Sequence, residues 1–247
     1  MDPRLAREYK DHEEKHWWFR VREQIIVRSL RSRLARSQGL RILDVGSGGG
    51  GTSKALAALG EVTCVEPSPE LYEALRQTSS FPVVYGSILD LPFGDGEFDL
   101  VCAFDVVEHV DQDGRAAAEL SRVCKVGGMV AITVPAFQSL WSHHDEVNHH
   151  FRRYRSAQLE RLFCPPMHLR YSTYFNTLLF GPIWLFRRLS GFFPKRGAQE
   201  SSGSDFSALP HPLLSAFFYN LFALELLWLP GHSFPFGVSL LQLYSKD

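Results

Sequence analysis

The chain has 247 residues, 45% of them hydrophobic and 21% charged, with a formal net charge of −1. That length suits one α/β domain with insertions, or one domain plus a small appendage, and is no obstacle to a sizeable core. The near-neutral charge offers no global basic field to draw nucleic acid, and four scattered cysteines with no CxxC pair read as reduced, buried thiols.

The stretch MDPRLAREYKDHEEKHWW is heavily charged and lacks the apolar segment of a signal peptide. No uninterrupted apolar run reaches the roughly 18 residues of a membrane span. The expected setting is cytoplasmic, with peripheral attachment to a membrane as an option.

Residues 5–36 read as a mixed-charge helix with WWF in its middle. An alternation then begins. RILDV (41–45) is a first strand ended by glycines, TSKALAALG (52–60) a helix, VTCVE (62–66) a second strand, PELYEALRQT (69–78) a second helix and PVVY (82–85) a short third strand. FDLVCAF (98–104) is a fourth strand, DGRAAAELSRVC (113–124) a helix and MVAITV (129–134) a fifth strand. Strands alternating with helices of about ten residues predict βαβ units and a parallel sheet. Nearly continuous apolar strands predict helices on both faces.

After Val134 a histidine-rich loop leads into SAQLERLF (156–163), a helix, then MHLRYSTYF (167–175) and, at the end, GVSLLQLYS (237–245) as sixth and seventh strands. The predicted organisation is a helical cap (1–36), an α/β core (37–174), an apolar helical insert (175–235) and a last core strand (236–247). The insert holds YFNTLLFGPIWLFRRL, a polar linker PKRGAQESSGSD (194–205) and LLSAFFYNLFALELLWLP (213–230). Over 213–224 the apolar positions largely follow i, i+3, i+4. These segments suit helices at a membrane interface or a greasy cap over a substrate. A helical subdomain or a homodimer interface is the plainer reading.

LDVGSGGGG lies between the first strand and first helix, where glycines let a ligand approach the backbone and the helix start favours negative charge. Gly46, Gly48 and Gly51 even satisfy G-x-G-x-x-G, the dinucleotide pattern. Asp44 just before them would repel a pyrophosphate but could help hold a cationic ligand. Glu66, ending the second strand, can bind ribose hydroxyls in either setting.

ILDVGSGGG, VEPS, GSILDLPFGDGEFDLV, FDVVEHV and VGG before a strand, in that order over about residues 40–135, resemble the class I S-adenosylmethionine-dependent methyltransferases. The resemblance implies a doubly wound, seven-stranded sheet with an antiparallel last strand. It also implies roles. Asp44 with Gly46, Ser47, Gly48 and Gly50 would hold the methionine end of S-adenosylmethionine; Glu66 the ribose, with Pro67 beside it; Ser87 and Ile88 would flank the adenine; Phe104 and Asp105 would line the cofactor. Many relatives carry an acid where Ser87 stands, and an uncharged hydroxyl is a weaker acceptor.

LWSHHDEVNHHFRRYR (140–155) holds four of the ten histidines. It follows the fifth strand, at the carboxyl end of the sheet where ligands bind in open α/β folds. With HWWF-x-x-R (16–22) it resembles a subgroup of small methyltransferases associated with envelope or lipid-linked metabolism. A metal site, a base cluster, an anion clamp by Arg152, Arg153 or Arg155, and a purely structural lid compete for it. The reading adopted is a substrate-facing lid: His144 as base oriented by Asp145, no metal ligands, and Trp17, Trp18, Arg22, His149, Arg153 and Tyr154 on the substrate side. His109 reads as ordering the loop near the cofactor. Methyl transfer to a hydrophobic or lipid-linked small molecule, O- before N-methylation, is the expectation; a nicotinamide-dependent oxidoreductase and a non-catalytic membrane-peripheral binding protein are its rivals.

Overall fold

The computed structural model describes residues 15–36, 38–190 and 211–247. The start of the expected first helix (5–14) and the linker 194–205 lie outside them. Strands β1 (Leu40–Val45), β2 (Gly60–Glu66), β3 (Val83–Tyr85), β4 (Phe98–Phe104), β5 (Cys124–Pro135), β6 (Met167–Phe175) and β7 (Ser239–Lys246) form one sheet in the order β3-β2-β1-β4-β5-β7-β6. The neighbouring pairs among β1 to β5 are parallel; β7 runs antiparallel to both β5 and β6. The seven strands and the reversed last strand are those expected.

Helices α1 (Trp17–Arg31), α2 (Gly51–Leu56), α3 (Pro69–Thr78), α4 (Asp113–Val123), α5 (His143–Val147), α6 (Ser156–Phe163), α7 (Phe180–Ser190) and α8 (Pro212–Ala223) surround it. Alternate residues of each strand feed two separate cores, as the pleat requires. Ile42, Leu100, Cys102 and Ala131 pack with Val21, Ile25 and Leu30 of α1 on one face. Leu43, Val101, Ala103 and Ile132 pack with Ala117 and Leu120 of α4 and Leu159 of α6 on the other. On α1 the buried positions 18, 21, 22, 25, 26, 29 and 30 form one stripe at helical spacing.

Several predicted elements differ in extent, the first helix among them, which runs Trp17–Arg31 within the described part of 5–36; in two the cause is visible. Helix α2 stops at Leu56 instead of 60, because Gly60 already begins β2 opposite Leu40, where any Cβ would lie 2.0 Å from the Leu40 carbonyl oxygen. Strand β5 starts five residues early, its register with β4 shifting between Phe98 and Leu100. The cysteines are free, with Cys64, Cys102 and Cys124 buried.

Helix α8 lies against α1, where Trp17 packs on Phe218 (ring centroids 5.3 Å apart) and Phe222 (6.1 Å). It presents the opposite side outward: Leu213 is 77% exposed, and Leu227, in the turn that follows, 85%. Glu225, the only charge in the second apolar segment, is buried and accepts hydrogen bonds from the backbone N–H groups of Asn176 (2.8 Å), Thr177 (2.6 Å) and Leu178 (3.0 Å). It thereby fastens the insert to the end of β6. No helix among the described residues is long and apolar enough to cross a membrane.

Candidate active site

The carboxyl ends of β1, β2, β4 and β5 open onto one edge of the sheet, and the candidate residues gather there. The glycine loop turns directly after β1. Gly46 has φ 71° and Gly50 φ 80°, backbone that side-chain-bearing residues rarely adopt. A Cβ on Gly46 would also meet Val106 Cγ2 at 2.5 Å, and one on Gly50 Leu75 Cδ1 at 2.7 Å. Only glycine satisfies both the turn and the packing beneath it.

Asp44 is 2% exposed and its Oδ2 accepts from Ser53 Oγ at 2.5 Å. Burial pushes its pKa up to about 6; the Ser53 hydroxyl and the Arg22 charge oppose that rise. Glu66 is buried too, its Oε2 accepting from Gly48 N–H (2.9 Å) and its Oε1 from Ser68 N–H (3.0 Å). Desolvation raises its pKa against these two donors. Each carboxylate oxygen retains a lone pair for a further hydroxyl donor. Pro67 is exposed beside it and Ile88 buried, while half-buried Ser87 accepts from Leu89 N–H at 3.2 Å.

Arg22 links α1 to this edge. Its Nη2 lies 2.6 Å from Asp105 Oδ2 and 3.2 Å from Thr133 Oγ1, and its Nη1 3.3 Å from Thr52 Oγ1. The guanidinium lies over the rings of Trp18 and Phe104, and its buried Nε has no hydrogen-bond partner. Asp105, at φ 56°, leaves β4 in the left-handed region and turns its carboxylate toward Arg22.

The histidine-rich stretch folds as α5 and a return loop. Asp145 is fully buried and forms its hub. Its carboxylate accepts from Ser142 N–H (2.8 Å), Arg153 Nε (2.8 Å), Arg153 Nη2 (3.0 Å) and His150 Nδ1 (2.9 Å). Burial raises its pKa, but the hydrogen bonds from His150 and Arg153 and the Arg153 charge prevail and hold the carboxyl well below its usual range. Phe151 N–H donates to the Glu108 carbonyl at 2.7 Å, tying the loop to the turn after β4. There the His109 ring meets His150 edge-on (centroids 4.5 Å apart), and the His144 ring centroid stands 6.0 Å from that of His150.

These contacts correct several expectations. Asp145 orients His150; a polar group beside the His144 ring is Asn148 Nδ2 (3.3 Å). Arg153 is buried on Asp145 and the Ala136 carbonyl, and so is no anion clamp. Arg152 is bound to Asp111 and Asp113, and the Tyr154 hydroxyl to Asp113. Trp17 packs against α8, and Trp18 lies under the Arg22 guanidinium. His149 is exposed in the left-handed region (φ 55°). Two residues gain prominence. Arg22 sits against Asp105 at the end of β4, and Glu108 is a buried acid whose two oxygens have no hydrogen-bond partner. An acid inside the apolar run VVEHV was the available signal for Glu108.

Residues 43–132 match the family described as a methyltransferase domain. That match spans the stretch from β1 into β5. The chain is similar to an O-methyltransferase of Aspergillus nomiae (28% identical over 133 residues, 50% of this chain and 59% of that protein). It is also similar to the malonyl-[acyl-carrier protein] O-methyltransferase of Enterobacter lignolyticus (36% over 114 residues, 45% of each). The chain spans about half the length of the curated relatives it matches. In fold it resembles the methyltransferase solved with the Haloferax volcanii Trm112 methyltransferase activator (TM-score 0.62, 16% identical, covering 98% of this chain and 94% of that one).

The residues at this edge of the sheet fit S-adenosylmethionine. A buried carboxylate under a glycine turn matches a cationic amino-acid end, and a second one at the tip of β2 matches a ribose. A pyrophosphate would face Asp44 at close range, which disfavours a nicotinamide dinucleotide.

Proposed function

We propose that this protein transfers a methyl group from S-adenosylmethionine to an oxygen of a hydrophobic or lipid-linked small molecule. The observation that carries the reading is one shared edge. The turn after β4 runs from Asp105, beside the glycine loop and Arg22, to His109, which touches the histidine loop. Cofactor and acceptor sites are thus a few residues apart. Asp44 and the glycine-loop backbone hold the amino end of the cofactor, Arg22 offers its guanidinium to the carboxylate end, and Glu66 takes the ribose. When bound, S-adenosylmethionine supplies an electrophilic methyl whose sulfur keeps the electron pair of the bond that breaks. The chain's own contribution is positioning, exclusion of water and removal of the acceptor's proton. Half-buried His144 is the base we assign, reaching the hydroxyl from the loop that Asp145 and Arg153 keep rigid. The two named O-methyltransferase relatives favour oxygen as the acceptor.

Calorimetric titration with S-adenosylmethionine and, separately, NADH tests the cofactor. Micromolar binding of the first, weakened by Asp44→Ala, is the expected result. Binding of NADH, or of neither, would overturn the reading. Methyl transfer from labelled S-adenosylmethionine to a panel of hydrophobic hydroxyl and amine compounds tests the acceptor. His144→Ala should then lower turnover at least tenfold while cofactor affinity stays within twofold.

The outward face of α8 favours a lipid surface as the place where the acceptor is met. Leu213, Leu214 and Phe217 on that helix, and Leu227 and Trp228 in and just after the turn that follows, are all exposed, a concentration of apolar surface that solitary soluble domains rarely carry. Flotation with phosphatidylglycerol-containing vesicles, comparing wild type with Phe217→Asp/Leu227→Asp, tests it. A wild-type chain that stays at the bottom of the gradient removes the membrane from the proposal.

A further inference from the structure

The turn after β4 and the histidine loop together place three potential ligand groups, Glu108, His109 and His150, with one donor atom from each within 4.8 Å of the others. The spacing of histidines within residues 140–155 argues for no such set, since two of the three groups come from another strand end. Three features distinguish this trio from a chance cluster. Glu108 is fully buried, yet both of its carboxylate oxygens lack a hydrogen-bond partner. A buried carboxylate left without donors is costly unless a cation or proton meets it.

His150 is held through Nδ1 by the buried Asp145 carboxylate at 2.9 Å, which leaves its Nε2 as a free electron pair. A carboxylate behind an imidazole is the arrangement that orients histidine ligands in metal sites. Arg153 in turn braces Asp145 through two hydrogen bonds, so the orienting group cannot swing away. His109 has the Asn148 backbone as a hydrogen-bond partner for one ring nitrogen, and the residue keeps an edge open to solvent.

We infer that Glu108, His109 and His150 form a two-histidine, one-carboxylate site for a divalent first-row transition metal, open on the His109 side. Imidazole donors suit zinc, iron, nickel or copper better than magnesium and calcium, which prefer all-oxygen sets. Three protein ligands leave coordination positions for the acceptor. A metal there would hold the acceptor's oxygen and lower its hydroxyl pKa. His144 would then receive a proton already weakened. This role rests on the proposed methyl transfer to oxygen; the site itself does not.

The experiment uses the whole 247-residue chain, stripped with chelator and dialysed against zinc, manganese or cobalt in turn. Metal content is read by mass spectrometry, and the cobalt form by its visible absorption. Binding of about one equivalent, weakened at least tenfold by Glu108→Gln, His150→Ala and His109→Ala alike, is expected. His109 is exposed, so its variant keeps the test valid should the two buried changes unfold the protein. No metal above background in wild type, or equal binding in the His109→Ala variant, overturns the site. S-adenosylmethionine titration of the same samples separates the two readings. Metal retained without cofactor binding sinks the methyl-transfer role and leaves the site standing; cofactor binding without metal does the reverse.

Discussion

Replacing Asp44 with asparagine should stabilise the ligand-free protein at neutral pH while weakening its grip on the cofactor. Burial raises the Asp44 pKa from 3.8 to about 6. The folded value lies above the unfolded one, so the contribution of Asp44 to stability is complete below about pH 4 and is lost as pH rises through 6. Above pH 6 the ionised form is held at a cost of about 3 kcal/mol, at about 1.4 kcal/mol for each tenfold in proton affinity. Asparagine keeps the shape and an acceptor for Ser53 Oγ but carries no charge. Ligand-free Asp44→Asn should therefore gain about 1–3 kcal/mol over wild type at pH 7.5 and almost nothing at pH 4, about 2–12 °C in melting temperature. A cationic ligand reverses the balance, because it favours the ionised carboxylate. Wild-type affinity for S-adenosylmethionine should tighten as pH rises through 6, and the variant should show no such rise. Scanning calorimetry at pH 4.5, 6 and 7.5 with and without ligand reads both effects. A loss of stability in Asp44→Asn of the same size at pH 4.5 and 7.5 would refute the reasoning, as would an affinity that the substitution leaves unchanged.

Three further substitutions probe the frame around the site. Asp145→Asn strands the buried Arg153 charge and should lower stability by about 3–5 kcal/mol in urea titrations, with near-wild-type stability in Asp145→Asn/Arg153→Met if the pair is structural. Arg22→Ala leaves Asp105 without its partner and should cost about 3 kcal/mol and weaken cofactor binding; Arg22→Lys should recover the stability better than the binding, since lysine lacks the planar fork that spans Thr52, Thr133 and Asp105. Glu225→Ala frees three backbone donors at the start of the insert and should cost about 3 kcal/mol; hydrogen exchange at Asn176, Thr177 and Leu178 should accelerate locally, and protection unchanged there would show that the carboxylate does not secure the insert.

The sheet was open to sequence reading because its strands obey one rule. Ile42, Leu43, Leu100, Val101, Ala131 and Ile132 are apolar at consecutive positions, and only a strand covered on both faces tolerates that pattern. The boundaries were less legible where backbone contacts set them. Nothing local ends α2 at Leu56; the close approach of Gly60 to Leu40 does, and that is a pairing between distant residues. The apolar segments were recognisable as helices, yet periodicity alone could not show that Phe222 turns inward while Leu213 and Phe217 face out. The side was chosen by Trp17 of α1.

The proposed cofactor edge was placed by the sequence for a related reason. The glycines, Asp44 and Glu66 stand at the ends of adjacent strands, so position in the βαβ rhythm gave position in space. The histidine loop resisted because its charges pair among themselves and with a different strand end. Arg153 and Asp145, eight residues apart, look like a clamp and the partner that orients a base in the linear sequence; folded, each neutralises the other. What this pairing achieves is external to both. It pins His150 by its Nδ1, and the Phe151 hydrogen bond to Glu108 brings that histidine against the turn after β4. Since β4 and β5 are parallel neighbours, the segments leaving them must emerge at one edge. The meeting of VVEHV with the histidine loop is therefore a consequence of strand order, and a reactive centre there needs residues from both.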